Sequence, residues 1–384
     1  MVIMKGPESG FEALAMLRRQ NGKKIQKYRD FEDYLERQAR EKGVPIYGQF
    51  ELTPLCNFRC GMCYVHLTPD QLGGRAVLSV SAWKDLMRQA WEAGMINATL
   101  TGGECLTYPG FDELYLYLCS LGCHVTLLTN GYLLDEKRVQ FFLEHRPYKI
   151  RITLYGCDDD VYERVTGLRA FGRVIGNVRR AMDAGLRVSL AVTPNTFLGE
   201  DVLRTVRVGK SLDKALNVNA DIFHPREETG RSGQHFDPET EMYVRIHRLI
   251  REIDGLETKE VAEEGLPPFG GPAHACDQRG FICGGGRSSF VIDWKGNLMP
   301  CNRMAMISFS ALENGFQSAW KQVNLRVNDW PRVPECAGCA YAEFCSRCPA
   351  TMLEFAPPGK QPIAMCERVR TFARCGIIHV PECE

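Results

Sequence analysis

The chain carries no excess of either charge: 47 lysines and arginines face 47 aspartates and glutamates in 384 residues. It therefore has no net field with which to gather nucleic acid or settle on an anionic membrane. No apolar run approaches the roughly 20 residues that a bilayer-crossing helix needs. The opening residues, MVIMKGPESGFEALAMLRRQ, lack the apolar stretch of a secretory signal. These absences exclude nucleic-acid and membrane partners and point to a cytoplasmic chain. No internal repeat is visible beyond an alternation of strand and helix patterns.

What the chain does have is cysteine, 17 in all and crowded into the C-terminal third. In a reducing cytoplasm so many thiols do not make a disulfide framework, and their crowding argues for metal ligation. The length suffices for one large or two medium domains, each with its own core.

Residues 1–45 carry apolar side chains at helical spacing and read as an N-terminal helical segment. From 46 to 225, short apolar runs alternate with amphipathic helical stretches, the pattern of parallel β/α units. Strands are expected at 47–53, 97–102, 124–130, 149–156, 187–194 and 217–225. Six such units make a partial (β/α)6 barrel open on one side, with chemistry at the C-terminal ends of the strands. Cys56, Glu104, Asn130 and Thr153 all fall at or just past those ends. Residues 226–270 read as a bridge holding a helix from Pro238 to Ile253, and 271–384 as a small cysteine-rich domain with a tail.

The densest chemistry lies in ELTPLCNFRCGMCY (51–64), where Cys56, Cys60 and Cys63 are spaced CxxxCxxC. Three thiolates on one tight loop hold three irons of a [4Fe–4S] cubane and leave the fourth open to a non-protein ligand. Taken alone, the spacing also fits a zinc half-site. Some way downstream, Gly102, Gly103 and Glu104 follow the second strand; glycines admit a close backbone approach, and the carboxylate suits a cationic partner. The pair of motifs resembles the radical S-adenosylmethionine (radical SAM) superfamily. The resemblance implies that the open iron binds S-adenosylmethionine, whose reductive cleavage gives a 5'-deoxyadenosyl radical that abstracts a hydrogen atom. It further implies that Gly102, Gly103 and Glu104 receive the methionine ammonium, that Thr153 meets the ribose, and that Thr193, Asn195 and Ile222 contact the adenosine half. Asn130 and Gly131 in LLTNG read as turn-formers rather than ligand contacts. Met62 stands where relatives carry an aromatic residue, which removes one adenine contact.

The C-terminal cysteines are Cys276, Cys283 and Cys301, then Cys336, Cys339, Cys345 and Cys348, and finally Cys366. Gly296 in WKGNLMPC reads as a hairpin turn whose second strand delivers Cys301. This pattern resembles the SPASM domain appended to many radical SAM enzymes, except that Cys345 and Cys348 are separated by two residues where three are usual. By that resemblance, Cys276, Cys283, Cys301 and Cys348 hold one auxiliary [4Fe–4S] cluster, and Cys336, Cys339, Cys345 and Cys366 a second. That makes three clusters with the catalytic one. Structural zinc sites are the alternative, because CxxC pairs serve zinc equally well. Of the remaining thiols, Cys105 and Cys157 lie near the expected cavity, and either is a candidate hydrogen-atom donor to a substrate radical. Cys119 and Cys123 read as packing residues.

The resemblance implies an oxidoreductase that matures a ribosomally made peptide by closing a thioether or carbon–carbon crosslink. Auxiliary clusters would carry off the electron, and a flavodoxin or ferredoxin would feed the catalytic one. Only 55 residues precede Cys56, too few for a winged-helix leader-recognition domain, so a separate protein or another surface is the expected leader reader. Formylglycine formation in a sulfatase is an alternative, yet enzymes of that type use an aspartate base directly after the hairpin cysteine, where this chain has Asn302. A small-molecule dehydrogenase or epimerase and a non-catalytic iron–sulfur or zinc scaffold are the others.

Overall fold

A computed structural model describes residues 28–219, 222–230, 234, 236–257 and 281–379. Cys276 and the LPPFGGP loop of the expected bridge lie outside the described residues, as does most of the N-terminal segment.

Six strands run in chain order and in parallel: β1 (Tyr47–Glu51), β2 (Asn97–Thr101), β3 (His124–Thr129), β4 (Lys149–Leu154), β5 (Val188–Val192) and β6 (Asn217–Val218). The helices before and between them are α1 (Tyr28–Lys42), α2 (Pro69–Leu72), α3 (Val80–Glu92), α4 (Phe111–Ser120), α5 (Glu136–Glu144), α6 (Asp159–Thr166), α7 (Phe171–Asp183) and α8 (Asp201–Leu212). Their start points follow from the sequence. Ser79, Asp135 and Asp158 each accept a bond from a first-turn amide, closing the open N-terminal end of α3, α5 and α6. In α3 the buried residues Trp83, Leu86, Met87 and Ala90 recur at helical spacing, and Trp83 meets Phe50 of β1 edge-on.

The bridge helix, α9, spans Thr240–Ile253. Beyond it come β7 (Ser289–Ile292), β8 (Asn297–Met299) and β9 (Phe309–Ser310), followed by α10 (Ala311–Asn314), α11 (Phe316–Asn328), α12 (Pro349–Phe355) and α13 (Ile363–Arg374). The turn between β7 and β8 is built as expected: Asp293 accepts from the amides of Lys295 and Asn297, and Gly296 adopts φ 87°, a region that suits glycine. What the pattern did not reveal is where this hairpin sits. β7 pairs in parallel with β1, giving one sheet ordered β6-β5-β4-β3-β2-β1-β7-β8-β9. The cysteine-rich region thus begins as an extension of the barrel sheet.

The sixth strand is a correction. Residues 217–225 were expected to be extended throughout, but pairing stops at Val218. Asn219 then turns its side chain onto Thr193 Oγ1, 2.9 Å away, and the Ile222 amide donates to Asp237 Oδ1 rather than to a strand. The Asn219 amide still donates to the Val192 carbonyl (2.9 Å), and at Ile222 a side-chain acceptor stands in for a strand partner.

Candidate active site

The loop after β1 is clipped to the loop after β2. Leu52 N–H donates to the Thr101 carbonyl (2.9 Å), Gly103 N–H to Thr53 (2.7 Å) and Glu104 N–H to Leu55 (3.0 Å). This gives the two glycines a reason different from the expected one. A Cβ on Gly102, which adopts φ 144°, would lie 2.5 Å from the Thr53 carbonyl oxygen, and one on Gly103 would lie 2.4 Å from that of Leu55. The close approach they permit is to the chain's own cysteine loop.

Within that loop, the amide of Phe58 donates to Cys56 Sγ and that of His66 to Cys63 Sγ, each at 3.3 Å. Such bonds favour sulfur in its thiolate form, the form that binds metal. Burial opposes them and pushes the Cys56 thiol up to about 12, with the Glu104 carboxylate adding to the rise. The buried Tyr155 hydroxyl feels all three thiols, Cys60, Cys63 and Cys56, so they converge on one face of the barrel mouth. Gly61 of the loop sits under the Phe197 ring, where a Cβ would come within 2.4 Å.

Glu104 is the carboxylate at that mouth and is 1% exposed. It accepts from Asn130 N–H (2.8 Å), Thr129 Oγ1 (2.9 Å) and Leu106 N–H (3.1 Å). Burial nonetheless holds its pKa above the ordinary carboxylate value. Among the described residues no lysine or arginine pairs with it. A buried, hydrogen-bonded carboxylate without a cation suits an incoming ammonium group. Asn130, read as a turn-former, does more than turn the chain. Its Nδ2 donates to Asn57 Oδ1 at 2.8 Å and points at Cys56 Sγ at 3.7 Å, tying the third strand to the cysteine loop.

A second polar group was missed by the sequence reading. Glu51, fully buried at the end of β1, takes a two-armed bond from Arg226, with Nη1 at 2.8 Å and Nη2 at 2.9 Å. The Tyr64 hydroxyl donates to Glu51 (3.1 Å) and accepts from Asn302 Nδ2 (2.8 Å), while Gln49 donates to Asn302 Oδ1 (3.1 Å). Tyr64 follows Cys63 and Asn302 follows Cys301, so this chain of bonds joins the two cysteine segments. A glutamate next to the buried Phe50 at the end of a short strand was the available signal.

The C-terminal thiols fall into two groups. The Cys283 thiol is raised by desolvation and by Cys348, although the residue itself is exposed; Cys301 goes up to about 11 through burial, Cys348 and Cys283. Burial likewise lifts Cys336 to about 12, reinforced by Cys345, Cys366 and Cys339. The structure therefore brings together Cys283, Cys301 and Cys348 in one place and Cys336, Cys339, Cys345 and Cys366 in another. The shortened Cys345–Cys348 step is accommodated by Arg347, which adopts φ 42°, a left-handed turn rare for a side-chain-bearing residue.

The remaining candidates are placed as follows. Thr153 is half-buried near the end of β4, on the face opposite Ile152 and Leu154. Asn195 is buried and occupied by its own turn, donating to the Thr193 carbonyl and accepting from Leu198 N–H. Ile222 is buried beside Asp237. Cys157 has Asp158, Arg204 and Asp201 as its charged neighbours, on the side of α6 and α8. Cys105 is fully buried behind Glu104, its thiol directed at the Leu128 carbonyl (3.5 Å). Its thiol also lies 3.7 Å from Glu104 Oε1.

Parallel β/α units ending in a three-thiol loop and a buried carboxylate define a radical SAM domain, and the Radical SAM superfamily profile matches residues 50–208. Those residues carry a domain of that superfamily. It is 25% identical over 277 residues to the antilisterial bacteriocin subtilosin biosynthesis protein AlbA of Bacillus subtilis, a match covering 68% of this chain and 56% of AlbA. PqqA peptide cyclase of Rhodopseudomonas palustris is 24% identical over 331 residues, covering 80% of this chain and 82% of the cyclase. Among solved structures, Streptococcus suis SuiB superposes with a TM-score of 0.65 at 16% identity, over 93% of this chain and 87% of SuiB. That likeness extends through the C-terminal region and shows the fold. SuiB has also been solved with S-adenosylmethionine and with the precursor peptide SuiA. No helix among the described residues is long and apolar enough to cross a membrane.

Proposed function

We propose that this protein is a radical SAM oxidoreductase that closes a crosslink in a ribosomally made peptide. The observation that carries the reading is the pair of thiol groups, Cys283–Cys301–Cys348 and Cys336–Cys339–Cys345–Cys366, folded onto a radical SAM barrel. Forming a thioether or carbon–carbon bond from two X–H bonds removes a hydrogen atom, a proton and one further electron from the peptide. The second thiol group and the first, completed by Cys276, hold the auxiliary [4Fe–4S] clusters that accept that electron. AlbA and PqqA peptide cyclase bear names of peptide-modifying proteins, which supports the substrate class.

A [4Fe–4S] cluster on Cys56, Cys60 and Cys63, with S-adenosylmethionine on its open iron, supplies one-electron cleavage of the sulfonium and thereby hydrogen-atom abstraction. The chain's own residues do the rest. Glu104 receives the methionine ammonium, and Gly102 and Gly103 fix its carboxylate against the cysteine loop. Thr153, Asn195 and Ile222 line the adenosine side, and Asn130 holds the loop to β3. Cys157 is the reserve hydrogen donor of an epimerase. Formylglycine formation is disfavoured because Asn302 is neutral and spends both ends of its amide on Tyr64 and Gln49. A flavodoxin or ferredoxin would supply the electron to the group held by Cys56, Cys60 and Cys63.

The test is an anaerobic incubation with S-adenosylmethionine, a reductant and a panel of ribosomal precursor peptides, among them SuiA. The reading expects 5'-deoxyadenosine together with a peptide lighter by two hydrogens. Formation of 5'-deoxyadenosine with a small molecule and no peptide change would overturn the substrate class; none at all would overturn the activity.

A further inference from the structure

We propose that Arg303 raises the reduction potential of the cluster held by Cys283, Cys301 and Cys348. This rests on the auxiliary-cluster reading above. Arg303 lies two residues after Cys301, and its side chain is 8% exposed. Nη1 donates to Thr351 Oγ1 at 2.7 Å and reaches Cys348 Sγ at 3.9 Å. Nη2 is bound to Glu354, which His224 also approaches at 3.0 Å, and the guanidinium lies over the Phe223 ring, 5.9 Å from its centre. Three elements thus fix one buried cation against the sulfur of a single cysteine: the loop after β8, α12 and the segment after β6.

The electrostatics have a definite sign. Reduction adds one negative charge to a cluster already bearing thiolates, so a fixed cation and an N–H···S bond favour the reduced form and raise the potential. Little solvent reaches the guanidinium, so screening is weak. Arginine suits the task because it stays charged when buried and its fork serves Thr351, Cys348 and Glu354 together. A guanidinium serving only to fasten α12 would need Thr351 and Glu354 but gain nothing from Cys348.

The experiment is a redox titration of the reconstituted protein followed by electron paramagnetic resonance, with iron content measured on each sample. Arg303→Met should lower the midpoint of one auxiliary signal by at least a tenfold change in its oxidised-to-reduced ratio, about 59 mV for one electron. Glu354→Gln removes a negative charge behind the arginine and should move the same signal upward. The other signals should hold still in both variants. Opposite shifts mark a charge effect, since loosened packing would disturb the signal in one direction. Should the methionine variant lose that cluster, Glu354→Gln decides alone: an upward shift supports the assignment, and no shift or a downward one overturns it. Full iron with unmoved potentials defeats the role of Arg303 only. A wild-type protein with about four irons per chain defeats the auxiliary-cluster reading as well.

Discussion

The cysteine loop of the barrel and the distal thiol group around Cys336 hold the same kind of side chain by different means. Behind the barrel loop stands one apolar core running from Phe50 through the parallel strands to Phe290, Trp320 and Val327. The distal group rests on Tyr341, Val369 and Ala373, with Ile378 and parts of the cysteine segment packed around them. The first site is a product of hydrophobic burial and exists before any ligand arrives. The second rests on few apolar side chains, and under the proposed reading metal binding adds to its folding energy. The Cys283–Cys301–Cys348 group stands between them, because β7 and β8 borrow their stability from β1.

Removing the metal should break the comparison open most visibly. In metal-free protein, amide hydrogen exchange should show residues 334–375 losing protection while β1 to β5 keep theirs. Equal protection in both regions would mean that the distal group folds without metal. Within the barrel, the largest single-residue effect is expected at Arg226. Arg226→Met strands Glu51, and breaking a buried ion pair costs about 3–5 kcal/mol, measurable by chemical denaturation. The loss should deepen with pH. Burial already lifts the folded Glu51 carboxyl, and Arg226 is the main influence drawing it back. A raised folded pKa means a stability contribution that is full below the unfolded value and lost as pH rises through the folded one.

Gly102→Ala should cost less, about 2–3 kcal/mol, from a disfavoured φ and a Cβ pressed on the Thr53 carbonyl. The smallest effect on stability is expected at Glu104→Gln, whose result lies in binding. Loss of the charge-assisted bond should weaken S-adenosylmethionine by about tenfold to a hundredfold in equilibrium dialysis. Unchanged affinity would remove Glu104 from the ligand site.

The barrel could be read from the sequence because each unit is local: a short apolar run, a turn, then an amphipathic helix with its own cap. The cysteine spacings could be read for the same reason. The β1–β7 pairing could not, since it joins segments more than 200 residues apart and leaves no mark in either. The contacts among Glu51, Tyr64, Arg226 and Asn302 were hidden likewise, since only the fold brings the four together. The GGE glycines were assigned to a ligand because their spacing suggested one. Their close neighbour, the loop at 53–55, becomes visible only when the two strand ends lie side by side.

The most direct test of the whole account is the metal and sulfide content of anaerobically reconstituted protein, with and without Cys56, Cys60 and Cys63 changed to alanine. Three cubanes require about twelve irons and twelve sulfides per chain, falling to about eight of each in the triple variant. About four irons accompanied by zinc would contradict the account, leaving the C-terminal thiols structural and the oxidative crosslink without an electron acceptor.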